Sequence, residues 1–140
     1  MHVMRYVVCG MWYVVGGDDG PNYSRAHVTQ HEKALLTAKV PVAIMIDCSH
    51  GNSLKNHENQ IKVIQSIVEQ LELGNSSIIG CMIESNLVAG NQTLEIGCKH
   101  ELKHGQSITD ACVDFDETIK MINMLDDAVK KRRQKRATAQ

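Results

Sequence analysis

The sequence predicts an α/β fold built on a parallel sheet, and three observations carry that prediction. A short apolar run, a polar or glycine-rich stretch and a helix-period pattern recur in that order three times along the 140 residues. The second apolar run, Val42-Ala43-Ile44-Met45-Ile46, is continuous rather than alternating, as in a parallel strand covered on both faces. The polar residues richest in chemistry, Asp47, His50 and Glu84, come directly after apolar runs. Parallel α/β proteins place their sites at the C-terminal ends of their strands.

The first unit is a strand from Met11 to Val15, a loop from Gly16 to Tyr23 and a helix from about Ser24 to Lys39, with Ser24 as N-cap. Pro41 marks the start of the next strand, which ends at Asp47. After Cys48-Ser49-His50-Gly51-Asn52-Ser53, Ile61, Ile64, Ile67, Val68 and Leu71 recur at helical spacing, and Gly74 suits the stop. The third strand runs from Ile78 to Ile83 and is closed by Glu84. A long loop from Ser85 to about Asp114 follows, of a length that usually carries function. The last helix, about Asp116 to Arg133, places Ile119, Ile122, Leu125 and Val129 on one face and acidic residues in its first turn. Three strands are too few to close an eight-stranded barrel, so at least one sheet edge lacks a partner and the chain reads as a piece.

A net charge of -1, with 43% hydrophobic and 22% charged residues, gives no reason to expect nucleic acid as a partner. The basic run Lys130 to Arg136, with residues 134–140 as a basic tail, reads as a solvated helix end whose cations complement the helix dipole. The apolar opening, residues 1–11, is too short to span a bilayer and reads as a poorly defined lead-in; no membrane partner is expected. Five cysteines without a CxxC pair point to reduced thiols and a cytoplasmic location.

His50, Glu84 and Asp110 offer an imidazole and two carboxylates that can converge on one divalent cation, and mixed nitrogen and oxygen ligation suits Mn, Fe, Co or Zn better than Mg or Ca. On spacing alone an alternative stands: His50 caps its turn, Glu84 is a solvated strand end and Asp110 caps local backbone. His27 and His31, four apart on a helix, read as a solvated face, and Cys48, Cys81 and Cys112 read as packing.

Longer stretches of sequence separate these readings. Met45-Ile46-Asp47-Cys48-Ser49-His50-Gly51-Asn52-Ser53 closely resembles the M-I-D-(F/Y)-S-H-(A/G)-N-S segment of class I 3-deoxy-D-arabino-heptulosonate-7-phosphate (DAHP) synthases. Gly80 to Leu87 with Gly90-Asn91-Gln92 resembles that family's G-V-M-(V/I)-E-S-x-x-x-x-G-N-Q. Gly105 to Cys112 is similar to its Y-G-x-S-I-T-D-A-C, and Gly16-Gly17 with Pro21-Asn22-Tyr23 to its L-R-G-G-K-x-x-N-Y. The motifs stand in the family's order from about Val14 to Arg133.

The resemblance implies the last three βα units of a (β/α)8 barrel that condenses phosphoenolpyruvate with erythrose 4-phosphate and releases phosphate, opening aromatic amino-acid synthesis by the shikimate route. By motif, His50, Glu84 and Asp110 match three of the family's four metal ligands; the fourth is a cysteine on the first barrel strand, which these residues do not include. The metal is implied to act as a Lewis acid on the sugar aldehyde while the third carbon of phosphoenolpyruvate attacks; water then adds to the second carbon and the carbon–oxygen bond to phosphate breaks.

Two departures bear on activity. Val15 stands where the family pattern has an arginine that contacts phosphoenolpyruvate, and valine cannot make a bidentate anion contact. Asp18 stands where the family has lysine. The stretch between Gly97 and Gly105 is slightly longer than in relatives, which bears on the placement of Asp110. The leading expectation is therefore a DAHP synthase piece that is inactive alone. Its alternative is a non-catalytic remnant, or half of a split enzyme completed by an N-terminal part or by a homo-oligomer. An independent metal-dependent hydrolase would need a water-activating base that the sequence does not offer.

Overall fold

Tyr13–Val15 (β1), Ile44–Asp47 (β2) and Ile78–Met82 (β3) form a parallel sheet in the order β1-β2-β3 in the computed structural model, which describes residues 13–17 and 19–138. The in-register pairs Val15 with Ile46 and Ile46 with Cys81 set one face of the sheet. Ile44 and Ile46 are fully buried on it, as their unbroken apolar run predicts. Arg25–Thr37 (α1) and Gln60–Glu72 (α2) make the crossovers. Ser24 caps α1, its side chain accepting from the backbone N–H of His27. From α2, Val63, Ile64, Ile67 and Leu71 enter the core at the spacing of one helical face.

The last helix, Phe115–Thr138 (α3), is longer than expected and buries the expected face at Leu125 and Val129 but not at Ile119 and Ile122. Met121 and Ala128 are buried, with Met124, Leu125 and Val129 packed beside them. Ile119 and Ile122, expected inside, are 40% and 49% exposed. Positions 121, 124, 125 and 128 make a continuous stripe of their own, and that stripe faces α2.

The basic run is not simply a solvated tail. Lys131 Nζ lies 2.7 Å from a Glu72 carboxylate oxygen, Lys135 Nζ donates to the Glu72 carbonyl at 2.7 Å and Arg132 Nη1 donates to the Asn75 carbonyl at 2.9 Å. These cations neutralise the unpaired carbonyl end of α2 rather than only that of their own helix.

Residues 85–114, expected as one long loop, contain two short parallel strands, Val88–Asn91 (β4) and Gln106–Ser107 (β5). The returning strand end is clamped by Gly90 N–H to Cys112 O at 2.8 Å and Cys112 N–H to Gly90 O at 3.1 Å. These strands are two to four residues long and carry no alternating apolar pattern, so periodicity does not reveal them.

Candidate metal centre

The turn after β2 is built by the side chains of its own motif. Asp47 Oδ1 accepts the Ser49 N–H at 2.8 Å, and Asn52 Nδ2 donates to the Asp47 carbonyl at 2.8 Å and to the Val15 carbonyl at 3.0 Å. Asn52 thereby ties the ends of β1 and β2 together and, at 3% exposure, works away from water. Gly51 is required by close approach: a Cβ there would stand 1.8 Å from the Gly17 carbonyl oxygen. His50 itself sits in the left-handed region, φ 47°, which aims its imidazole across the strand ends.

Glu84 is fixed from three sides. Gln60, fully buried at the start of α2, donates to the Glu84 carbonyl at 3.0 Å and accepts its N–H at 2.9 Å. Val113 N–H also donates to that carbonyl at 3.0 Å, and Ser49 Oγ donates to Glu84 Oε2 at 2.6 Å. The Val113 bond matters for the third residue, because it brings the end of the long connection back to Glu84 and carries Asp110 with it.

His50, Glu84 and Asp110 do converge. His50 Nε2 lies 3.7 Å from Glu84 Oε1 and 3.7 Å from Asp110 Oδ2, and one ligand atom from each residue lies within 4.8 Å of the other two. Two ligand bonds of about 2.1 Å spanning 3.7 Å subtend roughly 120°, an ordinary angle about a divalent ion. The donor set of one imidazole and two carboxylates fits a transition metal.

The remaining imidazole nitrogen is engaged: His50 Nδ1 and Asp47 Oδ2 are 2.7 Å apart. With Nδ1–H donating to the carboxylate, Nε2 presents its lone pair toward Glu84 and Asp110. Burial pulls the His50 imidazole down, but the Asp47 hydrogen bond and the charges of Asp47, Glu84 and Asp110 prevail and raise it above its ordinary value. Burial, with the Glu84 charge, lifts the Asp47 carboxyl above its ordinary range against the opposing Ser49 and His50 hydrogen bonds.

The three ligand candidates open into a cleft of about 360 Å³ whose lining also includes Ser49, Lys55 and His57. Sequence reading missed Asp47, Ser49 and Gln60 as supports, although Asp47 and His50 three apart on a strand-end turn was a legible signal. Val15 is fully buried in the hydrophobic cluster between sheet and helices and does not line the cleft. Asp18 lies outside the described residues. His31, expected on a solvated face, is 7% exposed on the inner side of α1 with Val28 and Leu35. Cys48 and Cys112 are buried, as packing residues should be. Hydrogen bonding to Cys81, and then burial, push the Cys48 thiol well above its ordinary value.

Comparison with known proteins gives concordant findings. A model of the DAHP synthetase I family matches residues 5–123. The tyrosine-inhibited phospho-2-dehydro-3-deoxyheptonate aldolase of Schizosaccharomyces pombe is 54% identical over 121 residues, covering 85% of this chain and 32% of its own length. The Phe-sensitive aldolase of Escherichia coli K12 is 42% identical over 120 residues, covering 86% and 34%. A solved structure of phospho-2-dehydro-3-deoxyheptonate aldolase from Francisella tularensis matches with a TM-score of 0.76 at 51% identity, covering 85% of this chain and 34% of that one. The chain thus spans about a third of the length of the relatives it matches.

Proposed function

The chain belongs to the DAHP synthetase I family, and from that premise we propose that it carries the metal-holding third of an enzyme that condenses phosphoenolpyruvate with erythrose 4-phosphate. The observation that carries the reading is the convergence of His50, Glu84 and Asp110, three residues from separate segments, on one cleft at the C-terminal side of the parallel strands. In this reading β1, β2 and β3 are the last three strands of a (β/α)8 barrel, and their parallel order with helical crossovers supports it.

His50, Glu84 and Asp110 would hold Mn, Fe, Co or Zn, and such an ion supplies Lewis acidity toward a sugar aldehyde. Asp47 fixes the imidazole tautomer, Ser49 orients the Glu84 carboxylate and Gln60 anchors the Glu84 backbone. Substrate orientation needs further cationic groups, and Val15 offers none. The 140 residues alone are therefore inactive and need an N-terminal part of the barrel, or a second copy, as partner. The basic run engages α2, and no helix among the described residues is long and apolar enough to cross a membrane. The four described cysteines are free, which suits the reducing cytoplasm.

Phosphate release with both substrates and added manganese tests the proposal. The 140-residue chain alone releases none. Mixed with the N-terminal two-thirds of the Schizosaccharomyces pombe relative, it should form a complex whose phosphate release depends on both substrates and disappears with EDTA or in Glu84→Gln. A stable complex that stays silent, or one indifferent to Glu84→Gln, contradicts the assignment.

A further inference from the structure

Cys48 follows β2 and Cys81 lies in β3, and we propose that their two sulfurs form a two-coordinate thiolate site for a soft monovalent ion of the copper(I) type, separate from the carboxylate cleft. Neither cysteine belongs to the motifs that this chain resembles, which carry phenylalanine or tyrosine at position 48 and valine at position 81.

Ile46 is the register partner of Cys81, so Cys48, two residues on, faces the same side of the sheet, and both pack in the hydrophobic layer beneath the helices. The Cys48 thiol is fully buried and donates a hydrogen bond to the Cys81 sulfur. The Ile46 carbonyl, 3.9 Å from Cys48 Sγ, is a weaker competing acceptor. Cys81 is half-buried and lines a cavity of about 140 Å³ between β3, α2 and α3, which gives an ion a way in.

Distance decides between a disulfide and an ion. Diagonal neighbours on adjacent strands, about 4.8 Å apart across and about 6.6 Å along, have Cα atoms roughly 8 Å apart. That exceeds the ~7 Å that a disulfide spans without backbone movement. Two metal–sulfur bonds of about 2.3 Å in line hold the sulfurs about 4.6 Å apart, within reach of two thiols leaning toward each other. Among the described residues no third histidine, cysteine or carboxylate joins the pair, and two soft thiolates without a further ligand select copper(I) over manganese or zinc. Binding replaces two S–H bonds by two metal–sulfur bonds, releases two protons to solvent and leaves a singly negative centre. Arg132 lines the same cavity and, among the described residues, makes no ion pair, so its guanidinium is placed to balance that charge.

The probe is copper(I), delivered without oxygen from a chromogenic competing chelator. Wild type should take up one ion per chain, with a sulfur-to-copper charge-transfer band in the ultraviolet and a raised thermal midpoint. Cys81→Val and Cys48→Ala should each lose the ion, the band and the rise in midpoint, while Cys98→Ser and Cys112→Ser keep all three. Cys81→Val places the resembling motif's own residue in the sheet, so it decides the matter even if Cys48→Ala does not fold. Saturating manganese and Glu84→Ala should leave copper(I) uptake unchanged, which separates this site from the cleft. Copper(I) that fails to bind wild type, binds Cys81→Val as well as wild type, survives in a folded Cys48→Ala, or is lost with Glu84→Ala overturns the proposal.

Discussion

Oδ2 of Asp47 lies 2.7 Å from Nδ1 of His50, so the residue that ends β2 also fixes the orientation of the imidazole three positions later. Carboxylates in this position hold a ligating histidine in the tautomer that leaves Nε2 free, and their removal typically costs about 10–100-fold in metal affinity. Asp47→Ala should weaken manganese or zinc binding by that order. Asp47→Asn, whose amide oxygen still accepts the Nδ1–H, should lose less. Equal affinity in wild type and Asp47→Ala would remove the pair from the metal site.

The same pair gives a pH dependence with a definite sign. His50 titrates above its ordinary 6.5 in the folded chain, so its contribution to stability is fully present below 6.5 and is lost as pH rises through the raised value. Asp47, raised above 3.8, likewise contributes only at low pH. Without metal, the midpoint difference between wild type and His50→Gln should be larger at about pH 5.5 than at about pH 8.5. Metal requires the unprotonated imidazole, so the shift in midpoint produced by manganese should grow over the same interval. Thermal melts with EDTA and with manganese check both signs, and a metal-free difference that grows with pH contradicts the first.

Gly51→Ala should be severe. Its Cβ would stand 1.8 Å from the Gly17 carbonyl oxygen, a backbone atom with no rotamer to yield, so the turns after β1 and β2 must separate. A loss of about 3 kcal/mol, at the upper end of ordinary overpacking, is expected by denaturant unfolding, with metal affinity falling in parallel because His50 is the preceding residue. A stable variant with unchanged metal affinity would show that the close approach is dispensable.

Gln60→Leu keeps the side chain's bulk but deprives the Glu84 N–H and carbonyl of the Gln60 amide. Val113 still serves the carbonyl, so one buried orphan N–H remains, costing about 1–3 kcal/mol. Urea unfolding should show that loss, and metal binding should weaken because Glu84 is no longer anchored. A variant as stable as wild type would mean that water replaces the amide.

The β-α alternation was legible because it rests on local signals, unbroken apolar runs and helical spacing, whereas the three ligand candidates were singled out by resemblance to the family's motifs, spacing alone leaving the capping alternative open. The support structure was not legible. Gln60 looks like any polar residue at the start of a helix until the fold sets it beside Glu84, and Asp110 is brought to the site by long-range hydrogen bonds, among them those of Val113 and Cys112 and that of Asn91 Nδ2 to the Thr109 carbonyl, which span a connection without periodicity. The inner face of α3 was legible at Leu125 and Val129, which pack against the core, but not at Ile119 and Ile122, whose hydrophobicity suggests the same stripe although Met121 and Ala128 fill it.

The central claim, that His50, Glu84 and Asp110 hold one divalent ion, is tested most directly by calorimetric titration of manganese and zinc into wild type, His50→Ala and Glu84→Ala. Wild type should bind weakly with one ion per chain, because three ligands without a thiolate give up both affinity and preference for softer metals. Each variant should bind more weakly still. Affinity unchanged in both variants would take these residues out of the metal site and leave the family membership as ancestry alone.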